Sequence, residues 1–227
     1  MTARGIRDTI LAVALAACSA AVLPGCHAAR VLAPPPAFRA ASASDFAVDI
    51  EFGEPLDRTS AEIASHYRVC PVGHPETPVA ILSATVIDTV AGRVVQLLLS
   101  GGPLVDGDSY QVSADAVRPF YGGAPMARTT TFHAGLGYAT DIRALMAVHC
   151  DRCHNAALPG GQYRTDSYAA LKGVGSDGNK ANLIASDPAS LIVKRSRPLR
   201  TMYDLGAMSY LDFEILYNWI VNYAARP

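Results

Sequence analysis

Apolar and polar residues alternate through the first half of the chain. From position 46 to position 52 every second residue is large and apolar, and the residues between are small or acidic. This period of two predicts a half-buried β-strand. Similar segments follow at 67–69, 81–87, 94–99, 110–112 and 129–132, separated by clusters of Gly, Pro, Asp and Ser. Short strands separated by turn residues predict an all-β sandwich over residues 43–137.

Helical spacing replaces alternation in the second half. Ser209 followed by Asp212 predicts a capping box that starts a final helix, and shorter helices are expected at 166–171 and 187–195. Another helix is expected to begin at Thr140 or Asp141. The apolar positions of these first and last helices are Ile142, Leu145, Met146 and His149, then Leu211, Ile215, Leu216, Trp219, Ile220 and Tyr223. We therefore expect an all-α domain over residues 138–227.

The start of the chain has the pattern of an export signal. Arg4 and Arg7 precede an apolar run at 10–23 that is too short to span a bilayer comfortably, so residues 1–25 are interpreted as a secretory signal peptide. A stretch rich in Pro and Ala follows and has few large apolar residues, which predicts a flexible tether over residues 26–42.

The signal ends on Leu23-Pro24-Gly25-Cys26, which resembles the bacterial lipobox. This resemblance implies that Cys26 is diacylated and that the exported protein is anchored to a bacterial membrane, in the periplasm or at the cell surface. Leu15-Ala16-Ala17-Cys18 fits the same pattern but would leave a very short apolar run. Ordinary cleavage near Ala28 is the other alternative.

Composition narrows the possible partners. The 227 residues include 19 Lys and Arg against 20 Asp and Glu, a formal net charge of −1, so no nucleic acid is expected as a partner. The acids and the three histidines of residues 43–137 (His66, His74 and His133) have no spacing that predicts a catalytic centre. Cys70 lies in a predicted strand and is expected to be a small buried apolar residue.

The strongest chemical signal is Cys150-Asp151-Arg152-Cys153-His154. C-x-x-C-H is the spacing at which two thiols attach one haem c covalently, and the adjacent histidine is then the proximal iron ligand. A zinc half-site and a redox-active C-x-x-C remain as alternatives. Zinc requires a second close pair of ligands, and a thioredoxin-like motif belongs in a βαβ unit; neither is evident in the sequence. The motif therefore favours one covalent haem.

A thioether is the usual sixth ligand of an electron-transfer haem. Met202, expected on a loop between Pro198 and the final helix, is the predicted distal ligand, and Met208 is the alternative. Met208 lies at the start of that helix, where packing is its expected role. Three arginines precede Met202 in the sequence and are expected either to pair with haem propionates or to be solvated: Arg195, Arg197 and Arg200.

The first half resembles bacterial Ig-like domains of the surface-layer (SbsA) type. The matched residues are Phe52, Pro55, Leu56, Asp57, Ser60 and Ala61, then Leu97, Leu99, Leu104, Asp106, Gly107 and Tyr110. The resemblance implies an Ig-like β-sandwich. This sequence departs from the family at Arg118-Pro119-Phe120-Tyr121-Gly122-Gly123, where the family usually has an Asp-x-x-Gly-Asn turn.

The second half resembles the mono-haem cytochrome c domains of bacterial exported proteins. The matches after the haem motif are Gly160-Gly161, Tyr168, Leu171, Ser190-Leu191, Met202, Ser209 and Trp219-Ile220. The resemblance implies a class I cytochrome c fold in which the first and last helices cross beside the porphyrin. Near the sixth ligand, Tyr203-Asp204 replaces the usual prolines after Met202.

These features predict a membrane-anchored c-type cytochrome that passes single electrons to redox partner proteins of the cell envelope and is not itself an enzyme. Two alternatives stay open. One is an envelope-binding Ig-like module with an accessory haem. The other is a haem sensor or peroxidase-like protein whose sixth iron position is open.

Overall fold

The structure is a computed structural model that describes residues 38–175 and 181–227. The predicted signal peptide, Cys18, the predicted lipidation site Cys26 and most of the predicted tether lie outside the described residues. Within them, no helix is long and apolar enough to cross a bilayer.

Seven strands of the described residues form two antiparallel sheets. The first sheet has the order β1-β2-β5-β4 and the second the order β3-β6-β7. Apolar side chains from both sheets meet in one core, with Ile50, Phe52, Leu97 and Val112 shielded from solvent. The strands are β1 (Phe38–Ser44), β2 (Ala47–Phe52), β3 (Tyr67–Pro71), β4 (Ile81–Val86), β5 (Val94–Leu99), β6 (Ser109–Val117) and β7 (Met126–His133).

The first strand corrects the predicted tether. Residues 38–42 were expected to be flexible, but they belong to β1, which pairs with β2 in the register Phe38 opposite Phe52. The Phe38 and Phe52 rings meet edge to face at 5.1 Å. Ala41 packs with Leu211 of the final helix, and its small side chain permits this close approach. The small residues of this stretch therefore serve close packing beneath a helix and do not form a linker.

Helices in the described residues are short and follow the sheets, except for α1 and a 3-10 turn, which lie between β2 and β3. A π-helical turn over Tyr138–Ile142 leads into the helix that ends at the haem motif. Short 3-10 turns lie at Ala64–His66 and Gly160–Gln162. The helices are α1 (Arg58–Ala61), α2 (Arg143–His149), α3 (Tyr168–Leu171), α4 (Leu191–Ser196), α5 (Thr201–Gly206) and α6 (Tyr210–Val221).

The predicted fold class, an all-β Ig-like sandwich followed by an all-α cytochrome c fold, is wrong. The described chain is a mixed α/β structure, mostly sheet with few helices, and it contains no all-α cytochrome fold. Apart from α6, with 12 residues, each α-helix has at most seven residues. Short helices bury little apolar surface by themselves, and here α6 packs on β1 and β2 instead.

Polar contacts join α6 to the sheet. The Tyr223 and Ser42 hydroxyls lie 2.8 Å apart, and Nδ2 of Asn222 donates to the Ala43 carbonyl at 2.9 Å. All six residues of β2 are consequently buried, including Asp49 and Glu51. The expectation of a half-buried strand is thus wrong, because the outer face of β2 is covered by Arg39 and α6.

Candidate haem site

The haem motif forms a tight turn at the end of α2. Cys150 caps the helix, and its carbonyl accepts hydrogen bonds from the backbone N–H of Cys153 at 3.1 Å and of His154 at 3.0 Å. This turn places the two cysteines and the histidine within one bend of backbone. Attachment of one flat cofactor by two sulfurs and one imidazole requires such proximity.

The His154 ring is oriented by the loop that follows it. Nδ1 lies 3.0 Å from the Tyr163 carbonyl oxygen, which can only accept, so Nδ1 carries the hydrogen and donates it. In the neutral imidazole Nε2 then carries the lone pair. Histidine ligands of metals are usually held in this way, with one ring nitrogen bonded to a backbone carbonyl. The tautomer of His154 therefore fits an iron ligand.

Gly160 allows this loop to lie directly against the motif. Its N–H donates to the Cys153 carbonyl at 2.7 Å. A Cβ atom at position 160 would lie 2.7 Å from the Cys153 carbonyl oxygen and 3.2 Å from Cε1 of His154. A side chain here would displace the loop, so the glycine is required by close approach.

One cavity brings the predicted haem-binding residues together. It has a volume of about 260 Å³, and its walls include Cys150, Cys153, His154 and Met202. Met202 does not lie on a loop as expected, because it belongs to the first turn of α5. The remaining walls come from His149, the 160–165 segment, Asn182, α4 and α5. The distal candidate thus faces the same space as the motif, although it is distant in sequence.

Met208, the alternative ligand, has a different environment. Its side chain is 6% exposed and packs in the apolar core beside α2 and α6. It also borders a second, larger hollow between the sheet and α2, and it is absent from the walls of the motif's cavity.

A polar atom in the cavity wall supports the fit of a cofactor with hydrogen-bond acceptors. Asn182 is 4% exposed, and its Nδ2 has no hydrogen-bond partner within the described part of the chain. A buried amide without a partner costs free energy, which a bound acceptor would offset. Arg195 also lines the cavity. The carboxylates of a haem are acceptors that this amide and this guanidinium would hold.

The Cys150 sulfur is held as a thiol by its surroundings. Burial, followed by the nearby Asp151 charge, raises the pKa of Cys150 to about 12, so this sulfur is a protonated thiol at neutral pH. Cys150 is a free thiol, which is the form that can react to give a thioether link to a haem.

His149 lies in the cavity wall and contacts a buried ionic cluster that the sequence did not indicate. Its Nδ1 lies 2.7 Å from the Gly206 carbonyl, and its Nε2 lies 3.3 Å from Oδ2 of Asp212. Burial alone would lower the pKa of His149, but these contacts and the Asp212 charge raise it. Burial alone would raise the pKa of Asp212, but His149 and Arg39 hold it well below its usual range. The capping pattern identified Asp212, but no local signal links it to β1.

The walls of the cavity do not include His66, His74, His133 or Cys70, none of which was predicted to be a site residue. Nδ1 of His66 contacts the Ser60 carbonyl, His74 is beside Glu76, and Nε2 of His133 lies 2.9 Å from Asp141. Cys70 is buried in β3 with a free thiol. Among the described residues, no group of three or more His, Cys, Asp or Glu side chains is placed to hold a metal ion.

A basic groove borders the cavity on the α4 and α5 side. It has a volume of about 650 Å³ and is lined by Met202, Thr201 and four cationic side chains. Those four are exposed at the surface: Lys194, Arg195, Arg197 and Arg200. Met202 therefore lies between a positively charged surface and the cavity.

Comparison with known proteins gives a limited likeness. No protein-family model matches the chain, and no curated protein sequence matches it. Among solved structures, the chain is similar to the S-layer protein rSbsC(31-844), with 22% identity and a TM-score of 0.39 over 42% of this chain and 13% of that one. The N-terminal part of the bacterial S-layer protein SbsC is similar at 21% identity and a TM-score of 0.39, covering 43% of this chain and 23% of that one.

These neighbours are surface-layer proteins. The chain spans less than a quarter of their length.

Proposed function

We propose that this protein is an exported, lipid-anchored c-type cytochrome that carries electrons one at a time and is not itself an enzyme. Cys150 and Cys153 hold one haem covalently, His154 is the proximal iron ligand and Met202 the distal ligand. The observation that carries the proposal is the single cavity whose walls contain all four side chains.

The state of His154 supports this role. Its Nδ1–H donates to the Tyr163 carbonyl, which fixes the ring and leaves Nε2 with the lone pair that an iron requires. Gly160 holds the loop that carries Tyr163 against the motif. The proximal ligand is thus oriented by the backbone of this chain before any cofactor binds.

The state of Cys150 supports attachment over thiol redox chemistry. A redox-active C-x-x-C contains a cysteine whose pKa is lowered, so that a reactive thiolate is present at neutral pH. Burial instead raises the pKa of Cys150 to about 12. A protonated, half-buried thiol suits a structural thioether link better than exchange with other disulfides.

A bound haem would supply a one-electron ferric–ferrous couple, whose potential a thioether ligand raises. The residues of α4 and α5 provide the rest of the environment. Ile192, Met202 and Leu205 line the cavity with apolar groups that exclude water, and Asn182, before α4, would donate its Nδ2–H to an acceptor on the cofactor.

The basic groove beside Met202 supplies a place for partners to dock. Exposed like charges on one face steer an oppositely charged partner toward it. We therefore propose that the redox partner, a protein of the cell envelope, presents an acidic surface to Lys194, Arg197 and Arg200. We propose that this exchange takes place at a bacterial membrane, in the periplasm or at the cell surface, and the predicted export signal and Cys26 support this location.

The test is expression with the maturation machinery for c-type haem, followed by acid-acetone extraction. Colour should stay on the polypeptide, because thioether bonds survive denaturation. The Cys150→Ala, Cys153→Ala double variant should lose the haem, whereas Cys70→Ala, which removes a buried cysteine of β3, should keep it. Free haem in the organic layer from the parent protein would refute covalent attachment. A high-spin ferric spectrum would instead indicate an open sixth position.

A further inference from the structure

The sheet and the cavity are connected through one arginine of β1. Nη1 of Arg39 donates to Oδ1 of Asp212 at 2.9 Å, and Nη2 donates to the Ser209 hydroxyl at 2.7 Å. The same guanidinium pairs with Glu51 of β2, whose side chain is almost fully shielded from solvent. Arg39 thus bonds at once to its own sheet and to the first turn of α6. A planar guanidinium with several fixed donors is suited to such bridging.

Asp212 also contacts His149, the last residue of α2. Its Oδ2 accepts the Ser209 backbone N–H at 3.1 Å and lies 3.3 Å from Nε2 of His149. The His149 side chain is 7% exposed, so this contact is shielded from solvent. Its other ring nitrogen, Nδ1, bonds to the Gly206 carbonyl at the end of α5 at 2.7 Å.

Both ends of this series of contacts belong to the cavity. His149 and Gly206 line it, Cys150 directly follows His149, and Met202 lies one turn before Gly206 on α5. The attachment site follows α2 and the proposed distal ligand lies on α5, so the spacing of these two helices sets the distance between the two groups. A group that holds these two helices together therefore sets the geometry available to the haem.

We propose that Arg39 is a positioning residue for the haem cavity, acting through Asp212 and His149 to hold α2 and α5 in register. This inference rests on the proposed function. It also assigns the β-sheet a role as part of the site, beyond that of a spacer between the membrane anchor and the haem.

The variants separate this role from general stability. Arg39→Met removes the donors and keeps an unbranched apolar stem, but it leaves Glu51 as an unpaired buried carboxylate, which destabilises the sheet. The double variant Arg39→Met, Glu51→Gln avoids that charge. Asp212→Asn retains an oxygen acceptor for the helix cap and weakens the link to both Arg39 and His149. Arg128→Met, on an exposed position of β7, is the matched control.

The first measurement uses the full chain without haem, under reducing conditions. The rate of iodoacetamide alkylation at Cys150 is followed by peptide mass spectrometry. We expect the rate to rise by about tenfold in Arg39→Met, in the double variant and in Asp212→Asn, because α2 separates more often from α5. Arg128→Met should alkylate at the parent rate. Equal rates in all four variants and the parent would overturn the inference.

The second measurement uses the haem-loaded protein. The same three variants should weaken the red sulfur-to-iron band and lower the reduction potential, whereas Arg128→Met should change neither. Arg39→Lys should restore part of the band, because it retains one cationic donor. Faster alkylation with an unchanged spectrum and potential would overturn the positioning role. If the parent protein carries no covalent haem, the proposed function fails, and the alkylation rates alone then decide whether Arg39 holds the two helices.

Discussion

Asp49 of β2 accepts a hydrogen bond at 3.1 Å from Nδ2 of Asn218, in the middle of the contact between the sheet and α6. Its other carboxylate oxygen accepts from Nε2 of Gln96 on β5 at 3.0 Å. Asp49 is 1% exposed. The helical segment of the chain is therefore joined to the sheet through a buried acid, whose charged form is poorly solvated.

The stability of the protein should consequently fall as the pH rises from about 4 to about 8. Burial raises the pKa of Asp49 to about 7. Burial and then the Asp49 charge raise the pKa of Glu214, on α6, to about 8. Carboxyl groups whose pKa is higher in the folded chain stabilise it fully below their unfolded pKa, and this contribution is lost as the pH passes the folded pKa. We expect a loss on the order of 2–5 kcal/mol, measured by urea unfolding across this range.

Replacement of one acid should flatten that profile. Glu214→Gln removes a titrating group near Asp49 while keeping a side chain of similar size, so its stability should change less between pH 4 and pH 8. Glu54→Gln, at an exposed position outside this contact, should follow the parent curve. A parent protein with constant stability from pH 4 to pH 8 would contradict the assignment.

Replacement of Met202 should open the iron of the haem-loaded protein. Met202→Ala removes the thioether from the cavity wall, and we expect loss of the red sulfur-to-iron band, a lower reduction potential and new binding of cyanide or carbon monoxide. Visible spectroscopy and a redox titration measure these changes together, because the thioether both favours ferrous iron and blocks access.

Met208→Ala is the matched control for that experiment. Met208 is buried in the core beside α2 and α6, so its loss should cost about 2–5 kcal/mol of unfolding free energy and leave the red band in place. A band that survives in Met202→Ala and disappears in Met208→Ala would show that the other methionine binds the iron.

Charge reversal in the basic groove should alter the kinetics of electron exchange. In the Lys194→Glu, Arg197→Glu variant, reaction of the ferrous protein with anionic ferricyanide should slow several-fold at low ionic strength, because the attraction is lost. Oxidation by a cationic cobalt complex should become faster. Arg68→Glu, at an exposed position of β3, should leave both rates near the parent values. Equal changes in all variants would exclude the groove as the docking face.

Membrane attachment should depend on Cys26. Cys26→Ser should abolish incorporation of labelled fatty acid and release the protein from the membrane fraction, because diacylation of one cysteine supplies the anchor. Cys18→Ser, within the apolar run, should still be labelled. Loss of labelling only in Cys18→Ser would move the lipidation site to the other candidate motif.

Local patterns in the sequence account for much of the candidate site. The C-x-x-C-H spacing identifies Cys150, Cys153 and His154, because covalent attachment requires them to be adjacent in the chain. The Ser209 and Asp212 pair predicts the start of α6, and the structure contains both hydrogen bonds of that capping box. The strand positions at 94–99 and 81–87 likewise follow from alternation and coincide with β5 and nearly with β4.

Long-range contacts decided the rest. The sequence by itself determined where β4, β5, α6 and the C-x-x-C-H motif lie, because those signals depend on neighbouring residues, but it indicated neither β1 nor α5. Only the tertiary structure placed α6 on the outer face of β2, which buries Asp49 and Glu51 and converts a predicted tether into β1. It also brought Met202 to the motif and joined Arg39 to Asp212, 173 residues apart. Periodicity reports which face of an element is apolar, but it does not report which other element covers that face, so it predicts an all-β fold followed by an all-α fold where the described residues form a mixed structure.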